Sequence, residues 1–228
     1  LDFDQLEIEN YALKNILPSA NSSNISRIIE NNDKELFFVI NRVGLYHFDI
    51  TKNKANKLTD PQLQKITSIS GIINKHKTNK LLIAAEGENA YNVFIYKQPN
   101  NPVFLEKITL PRIGTYADNT ISVLTEDPNG NLYIGTYNGL LKKPLNGDVE
   151  LITGDIRFIN DIKIDSKNQI WAATEKDGVF YISHTNGKYK INRVDLKIKN
   201  YESLGVQSIV CRKTGETYLA TKEGGIFV

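Results

Sequence analysis

The sequence predicts an all-β protein folded as a β-propeller, and three observations carry that expectation. Apolar runs of about five residues alternate with turn clusters of Gly, Asn, Asp and Pro, the pattern of antiparallel hairpins. The unit at residues 119–144 recurs along the chain: aligned on the last residue of its second run, Ile40, Ala85, Thr136, Thr174 and Thr221 fall at intervals of 45, 51, 38 and 47 residues. That spacing matches the roughly 40–50-residue period of a four-stranded propeller blade. Helical periodicity is almost absent.

Each copy repeats one internal order. First strands are expected at 25–29, 69–73, 121–125, 159–164 and 206–211, each followed by a polar turn such as DPNGN or DSKNQ. The second runs lead to a tight turn with Gly44, Gly139, Gly178 or Gly225, whereas the second copy carries EGENAYN there. Glycine at a fixed offset fits a turn needing positive φ or close backbone approach. Fourth strands read at 54–58, 103–109, 149–153 and 188–196.

The fifth copy stops at Val228 without a fourth strand, and DFDQLEIE near the start of the chain reads as the missing one. An N-terminal strand completing the last blade would remove two exposed sheet edges. The expected domain is thus one propeller of five blades, at about 20–60, 64–110, 117–153, 157–196, and 204–228 joined by 1–9. The rival arrangement is an open excerpt of a larger propeller.

Composition narrows the function classes. Of 228 residues, 40% are hydrophobic and 24% charged, enough to bury a core, and a net charge of +2 gives no footprint for nucleic acid. No apolar run approaches the roughly 20 residues that span a bilayer, so no direct membrane insertion is expected. Cys211 is the single cysteine, which leaves no intrachain disulfide. The chain has no Met and begins at Leu1, as a processed or trimmed chain would.

The stretches ISVLTEDPNGNLYIGTYNGLLKKP and INDIKIDSKNQIWAATEKDGVFYI resemble the two-component regulator propeller repeat family. The match rests on Ile121, Glu126, Asp127, Gly130, Leu132, Tyr133, Gly135, Thr136, Gly139 and Leu140 in blade 3. In blade 4 it rests on Ile162, Asp165, Ile170, Trp171, Ala173, Thr174 and Gly178. Blade 1 has Val39-Ile40 in place of the small-Thr pair. The resemblance implies the periplasmic or extracellular sensor part of a bacterial two-component or hybrid regulator, of the kind that senses glycans in gut bacteria.

Several sharper readings give way to plainer ones. The turns at Asp127 and Asp165 offer too few oxygens for calcium, and are expected to be hairpin turns in which Asp caps its own backbone. Phe37, Tyr133, Trp171 and Tyr218 share one register, which points to packing between blades and not to a stacking platform. His76 and His184 fall in turns on the face away from the channel mouth, and His47 lies within a third strand. Neither a metal site, a cofactor nor a histidine-centred active site is expected, so the protein reads as non-enzymatic.

Ligand-binding candidates come from the loops at the mouth. Those between fourth and first strands offer Asn24, Asp118, Asn119, Asn160 and Asp161. Those between second and third strands offer Arg42, Glu86, Glu88, Tyr91, Tyr137, Asn138, Glu175, Lys176, Asp177, Lys222 and Glu223. Amides and carboxylates that fix hydroxyls, with tyrosine rings over apolar faces, suit a glycan or other polar small ligand. The blade-two loop at 86–92 breaks the repeat, so Glu88 and Tyr91 are expected to contribute to recognition. A scaffold for protein partners or for self-association of propellers is the alternative. A lyase or glycosidase is a further one, with Glu86, Glu88, Asp161 and Glu175 as its acid/base candidates.

Overall fold

The computed structural model describes residues 25–40, 43–75, 80–87, 90–97, 103–114, 119–196 and 204–228. Among them the strands form five antiparallel sheets, the blades of a five-bladed β-propeller. Blade 1 holds β1 (Ile25–Asn32), β2 (Glu35–Ile40), β3 (Gly44–Asp49) and β4 (Lys54–Lys57). A short helix, α1 (Pro61–Gln64), leads to blade 2, with β5 (Ile66–Lys75), β6 (Lys80–Gly87), β7 (Ala90–Lys97) and β8 (Val103–Thr109). Blade 3 holds β9 (Ile121–Glu126), β10 (Leu132–Thr136), β11 (Leu140–Lys143) and β12 (Glu150–Thr153). Blade 4 holds β13 (Ile159–Ile164), β14 (Ile170–Thr174), β15 (Val179–Thr185) and β16 (Lys188–Arg193). Blade 5 holds β17 (Val206–Cys211), β18 (Thr217–Thr221) and β19 (Ile226–Phe227). The strand expected from residues 1–9 to complete it lies outside the described residues.

Each sheet runs in chain order, and first strands touch their successors: β1 with β5, β5 with β9, β9 with β13, and β13 with β17. The first strands therefore form the inner ring. The centres of the second strands are apolar because both of their faces are covered, and successive side chains point to opposite faces. In β6, Leu81, Ile83 and Ala85 pack toward blade 1, while Leu82 and Ala84 pack toward blade 3. In β10, Leu132 and Ile134 face blade 2 and Tyr133 faces blade 4. Stability is thus spread over the blade interfaces, where truncating one buried Leu or Ile to Ala typically removes about 2–5 kcal/mol.

The local motifs now have physical reasons. Thr136, Thr174 and Thr221 each close the second turn twice: backbone N–H and hydroxyl both donate to the carbonyl of Gly139, Gly178 and Gly225 respectively. Asp127 Oδ1 accepts from the N–H groups of Asn129 and Asn131, and Asp165 Oδ1 from those of Lys167 and Gln169. Each Asp also holds the aromatic residue of the next strand, Tyr133 O–H at 3.3 Å and Trp171 Nε1–H at 3.1 Å. Burial and the Asp127 charge push the Tyr133 hydroxyl up to about 12. The Asp turns are therefore structural, as expected.

Two features depart from the sequence reading. The stretch 86–92, expected as a long loop, is mostly strand: Glu86 pairs with Tyr91 and Gly87 with Ala90. Helix α1 is an addition whose signal was present in Asp60-Pro61, an N-cap followed by proline in the first turn. Asp60 accepts from Gln62 N–H at 2.8 Å and from the Tyr96 hydroxyl at 3.1 Å, which ties the helix to blade 2.

Candidate functional site

The inner strands share one irregularity. Each carries a β-bulge at the same place against its second strand, and the extra residue is polar in every blade: Ser26, Ser70, Ser122, Asn160 and Gln207. A bulge re-aims a side chain and recurs beside functional sites. These residues directly follow Ile25, Ile69, Ile121, Ile159 and Val206, which pair with Ile40, Ala85, Thr136, Thr174 and Thr221 at the end of the second runs. They therefore sit at one end of the inner ring, the channel mouth.

The five positions behave differently. Ser122 donates to Gly135 O of its own blade at 3.1 Å and to Ile159 O of blade 4. Asn160 repeats the second bond, with Nδ2 2.9 Å from Val206 O of blade 5. Ser70 reaches only its own blade, at 3.4 Å from Ala84 O. The Ser26 hydroxyl is shielded from solvent and has no partner among the described residues. The bulge residue is thus a staple between blades 3, 4 and 5, and an uncommitted hydroxyl in blade 1.

A cavity of about 250 Å³ opens at this point, lined by Ser26, Arg27, Ser70, Thr120, Ser122 and Tyr137 together with Ile69 and Ile121. It gathers hydroxyls from three consecutive blades. Arg27 Nη1 donates to Ser26 O at 2.9 Å, which sets the guanidinium at the rim. The Tyr137 ring is 40% exposed and lies 5.3 Å from that of Phe158. Phe158 holds a left-handed backbone, φ 49°, which is costly for an aromatic residue. Its N–H donates to Tyr137 O and its carbonyl accepts from Glu175 N–H, so the strained residue pins two turns of the mouth.

The sequence candidates divide between site and framework. Glu175, Lys176, Lys222 and Glu223 share a second cavity of about 220 Å³ with Leu204 and Gly205. There Lys222 pairs with Glu175, whose Oε2 also lies 3.4 Å from Asn160 Nδ2. The ammonium and then the amide hold the Glu175 carboxyl below its ordinary value. Tyr137 faces the first cavity. Arg42, Glu88 and Asp118, with Asn24, lie outside the described residues.

Other candidates, buried except for the half-buried Glu86, belong to the framework, a correction to their reading as open mouth groups. Tyr91 belongs to the core between blades 2 and 3, and its hydroxyl accepts from Thr120 at 2.8 Å, so its ring offers no open face. Glu86 is a half-buried strand residue of β6. Asn119 bridges Pro111 O and Ile113 N–H, and Asn138 donates through its side chain to Ile113 O. Asp161 accepts from four groups: Ile162 N–H, Lys163 Nζ, Ser208 Oγ and Ile209 N–H, the last at 2.8 Å from blade 5.

Sequence reasoning missed Ser26, Arg27, Ser70, Thr120 and Ser122. Their signal was the polar residue recurring after the first aliphatic of each expected first strand. Among the described residues no three His, Cys, Asp or Glu side chains converge as metal ligands. His47 in β3 lies 3.3 Å from Glu35, and the His184 ring lies tilted against that of Tyr189 with centroids 4.5 Å apart, both outside the linings of the mouth cavities. Among the described residues no helix is long and apolar enough to cross a membrane.

A family model described as two component regulator propeller matches residues 115–138, which lead into blade 3 and run through its second turn. No curated protein matches the chain in sequence. Solved structures with the same fold include the extracellular domain of the one component system BT4673 from B. thetaiotaomicron. It is 18% identical with a TM-score of 0.70, over 89% of this chain and 26% of that one. The extracellular domain of the hybrid two component system BT3049 from B. thetaiotaomicron is 20% identical with a TM-score of 0.64, over 89% and 26%. PorZ, a surface component of the type-IX secretion system of Porphyromonas gingivalis, is 17% identical with a TM-score of 0.65, over 89% and 31%. The chain thus spans about a quarter to a third of the length of these proteins, and the likeness is one of fold.

Proposed function

We propose that this chain, which carries a repeat of the two-component regulator propeller family, is the extracytoplasmic sensing propeller of a bacterial regulator. Its channel mouth binds a polar ligand, a glycan, without turning it over. One observation carries the reading: hydroxyls from blades 1, 2 and 3 line a single cavity in which Ser26 has no partner among the described residues. A buried hydroxyl without a partner costs free energy that a ligand hydroxyl recovers on binding. Tyr137 adds a ring face for the apolar side of a sugar, and Arg27 adds donors at the rim.

The non-enzymatic reading draws support from two of the acid/base candidates. Asp161 is enclosed by four donors and Glu175 is paired with Lys222, so neither is poised as a general acid. The likeness to extracellular domains of BT4673 and BT3049 supports the placement outside the cytoplasm.

The test is an oligosaccharide screen by calorimetry, with product analysis of every bound glycan. Binding without cleavage is expected, weakened about tenfold in Arg27→Ala and in Tyr137→Ala with an unchanged melting temperature. A panel with no binder contradicts the reading, and so does release of a shorter product.

A further inference from the structure

A larger cavity lies at the junction of blades 1 and 2, and its chemistry differs from that of the channel mouth. It encloses about 300 Å³, at the lower end of the range for small-molecule sites. Its walls include Val39 and Leu45 from blade 1, Leu58 and Leu63 from the connection, and Ile66 and Ile69 from blade 2. Val39, Leu45 and Leu58 are buried core residues, so the floor is fixed by the same cluster that joins the two blades. Leu63 is held by α1, which is capped by Asp60 and anchored through Tyr96.

One full charge enters this apolar frame. Lys57, the last residue of β4, lines the cavity, and its stem crosses above Gly44, where an added Cβ would stand 2.9 Å from Cε. Among the described residues Lys57 makes no ion pair, and no carboxylate lines the cavity. The nearby Asp60 is already engaged by Gln62 N–H and the Tyr96 hydroxyl. Gln64, Thr59 and Ser68 supply the remaining polar groups of the lining.

We propose that the blade 1–blade 2 junction is a second binding site, for a small monocarboxylate with an apolar body. The carboxylate pairs with Lys57, and the hydrocarbon lies against Leu45, Leu58, Leu63 and Ile69. An ammonium beside an apolar wall, with no acidic partner, selects this class over neutral or polyhydroxylated molecules. At the stapled blade 4–5 junction the cavity is polar instead, and its lysine Lys222 is already paired with Glu175. At the first junction the staple is absent, and the α1 connection builds a wall in its place.

The experiment titrates hexanoate and benzoate into the protein by calorimetry, with hexanamide and benzamide as neutral counterparts. Both acids are expected to bind about tenfold more tightly than their amides. Lys57→Gln, an exposed substitution, erases that difference while leaving the weak amide binding. Leu63→Trp, which fills the cavity, abolishes binding of both classes, and Ser26→Ala leaves all four titrations unchanged. Melting curves confirm that each variant is folded. Absence of acid binding at millimolar concentration overturns the proposal. So does equal binding of acid and amide, or acid binding undisturbed in either Lys57→Gln or Leu63→Trp.

Discussion

Blades 3, 4 and 5 and blades 1 and 2 are built from one repeat, yet they are held together differently. Between blades 3 and 4, Ser122 donates to Ile159 O and Thr125 to Ile162 O. Between blades 4 and 5, Asn160 reaches Val206 O and Asp161 reaches Ser208 and Ile209. Their second turns are closed by Thr136, Thr174 and Thr221, whereas Ile40 and Ala85 stand at that place in blades 1 and 2. At the first junction the Ser26 hydroxyl is unpartnered among the described residues and a cavity of about 300 Å³ remains. At the bulge position, then, blades 3 and 4 use the polar side chain for assembly, whereas blade 1 leaves its hydroxyl available.

The largest test of that division is Asp161→Ala. It strips the Ile209 N–H and the Ser208 hydroxyl of their acceptor at the blade 4–5 interface, and about 3 kcal/mol of stability should be lost in chemical denaturation. Gly135→Ala comes next. A Cβ there would stand 2.5 Å from Val123 Cγ1 and 2.8 Å from Ile159 Cγ2, so overpacking should cost about 1–3 kcal/mol. Blade 2 has Ala84 at the matching position, fully buried, which shows that its junction already holds that methyl group. An Ala84→Gly variant should therefore loosen blade 2, where Gly135→Ala strains blade 3.

The smallest effect concerns pH. Glu175 is held below its ordinary value of 4.5, first by the hydrogen bond from Lys222. A carboxyl lowered in the folded state contributes stability that is fully present above its unfolded value. That contribution is lost as pH falls through the lowered folded value. Carbon-detected NMR titration of Glu175 should show its midpoint rising toward 4.5 in Lys222→Ala, with little change in stability because the pair is solvent-exposed. A midpoint unmoved by the substitution would show that the pair does not form in solution.

Much of the fold was legible because the repeat writes its reasons locally. The runs 159–164 and 206–211 are β13 and β17 to the residue, since the turn residues on either side leave no other boundary. The Asp turns and the glycines of the second turns were legible for the same reason, whereas the closure of those turns by Thr136, Thr174 and Thr221 came only with the structure. The mouth was less so. Tyr91 and Glu86 lie beside Gly87 in a polar stretch that reads as a loop, but strand pairing continues through Glu86↔Tyr91 and draws the tyrosine into the core. Asn119, Asn138 and Asp161 carry groups that suit a ligand, and whether an amide meets a ligand or a backbone carbonyl depends on tertiary contacts. The bulge that turns Ser26, Ser70 and Ser122 to the cavity leaves only one faint mark in sequence, a polar residue after an aliphatic one.

The paired variants Ser26→Ala and Ser122→Ala test the central claim most directly, because the two serines hold the same place in the repeat. Each should be measured for melting temperature and for affinity toward a glycan found in the screen. The two variants should cross. Ser122→Ala loses about 1 kcal/mol of stability, as expected for a hydrogen-bonded staple, and Ser26→Ala keeps its stability while its affinity falls about tenfold. A Ser26→Ala variant that melts early and binds normally would contradict it.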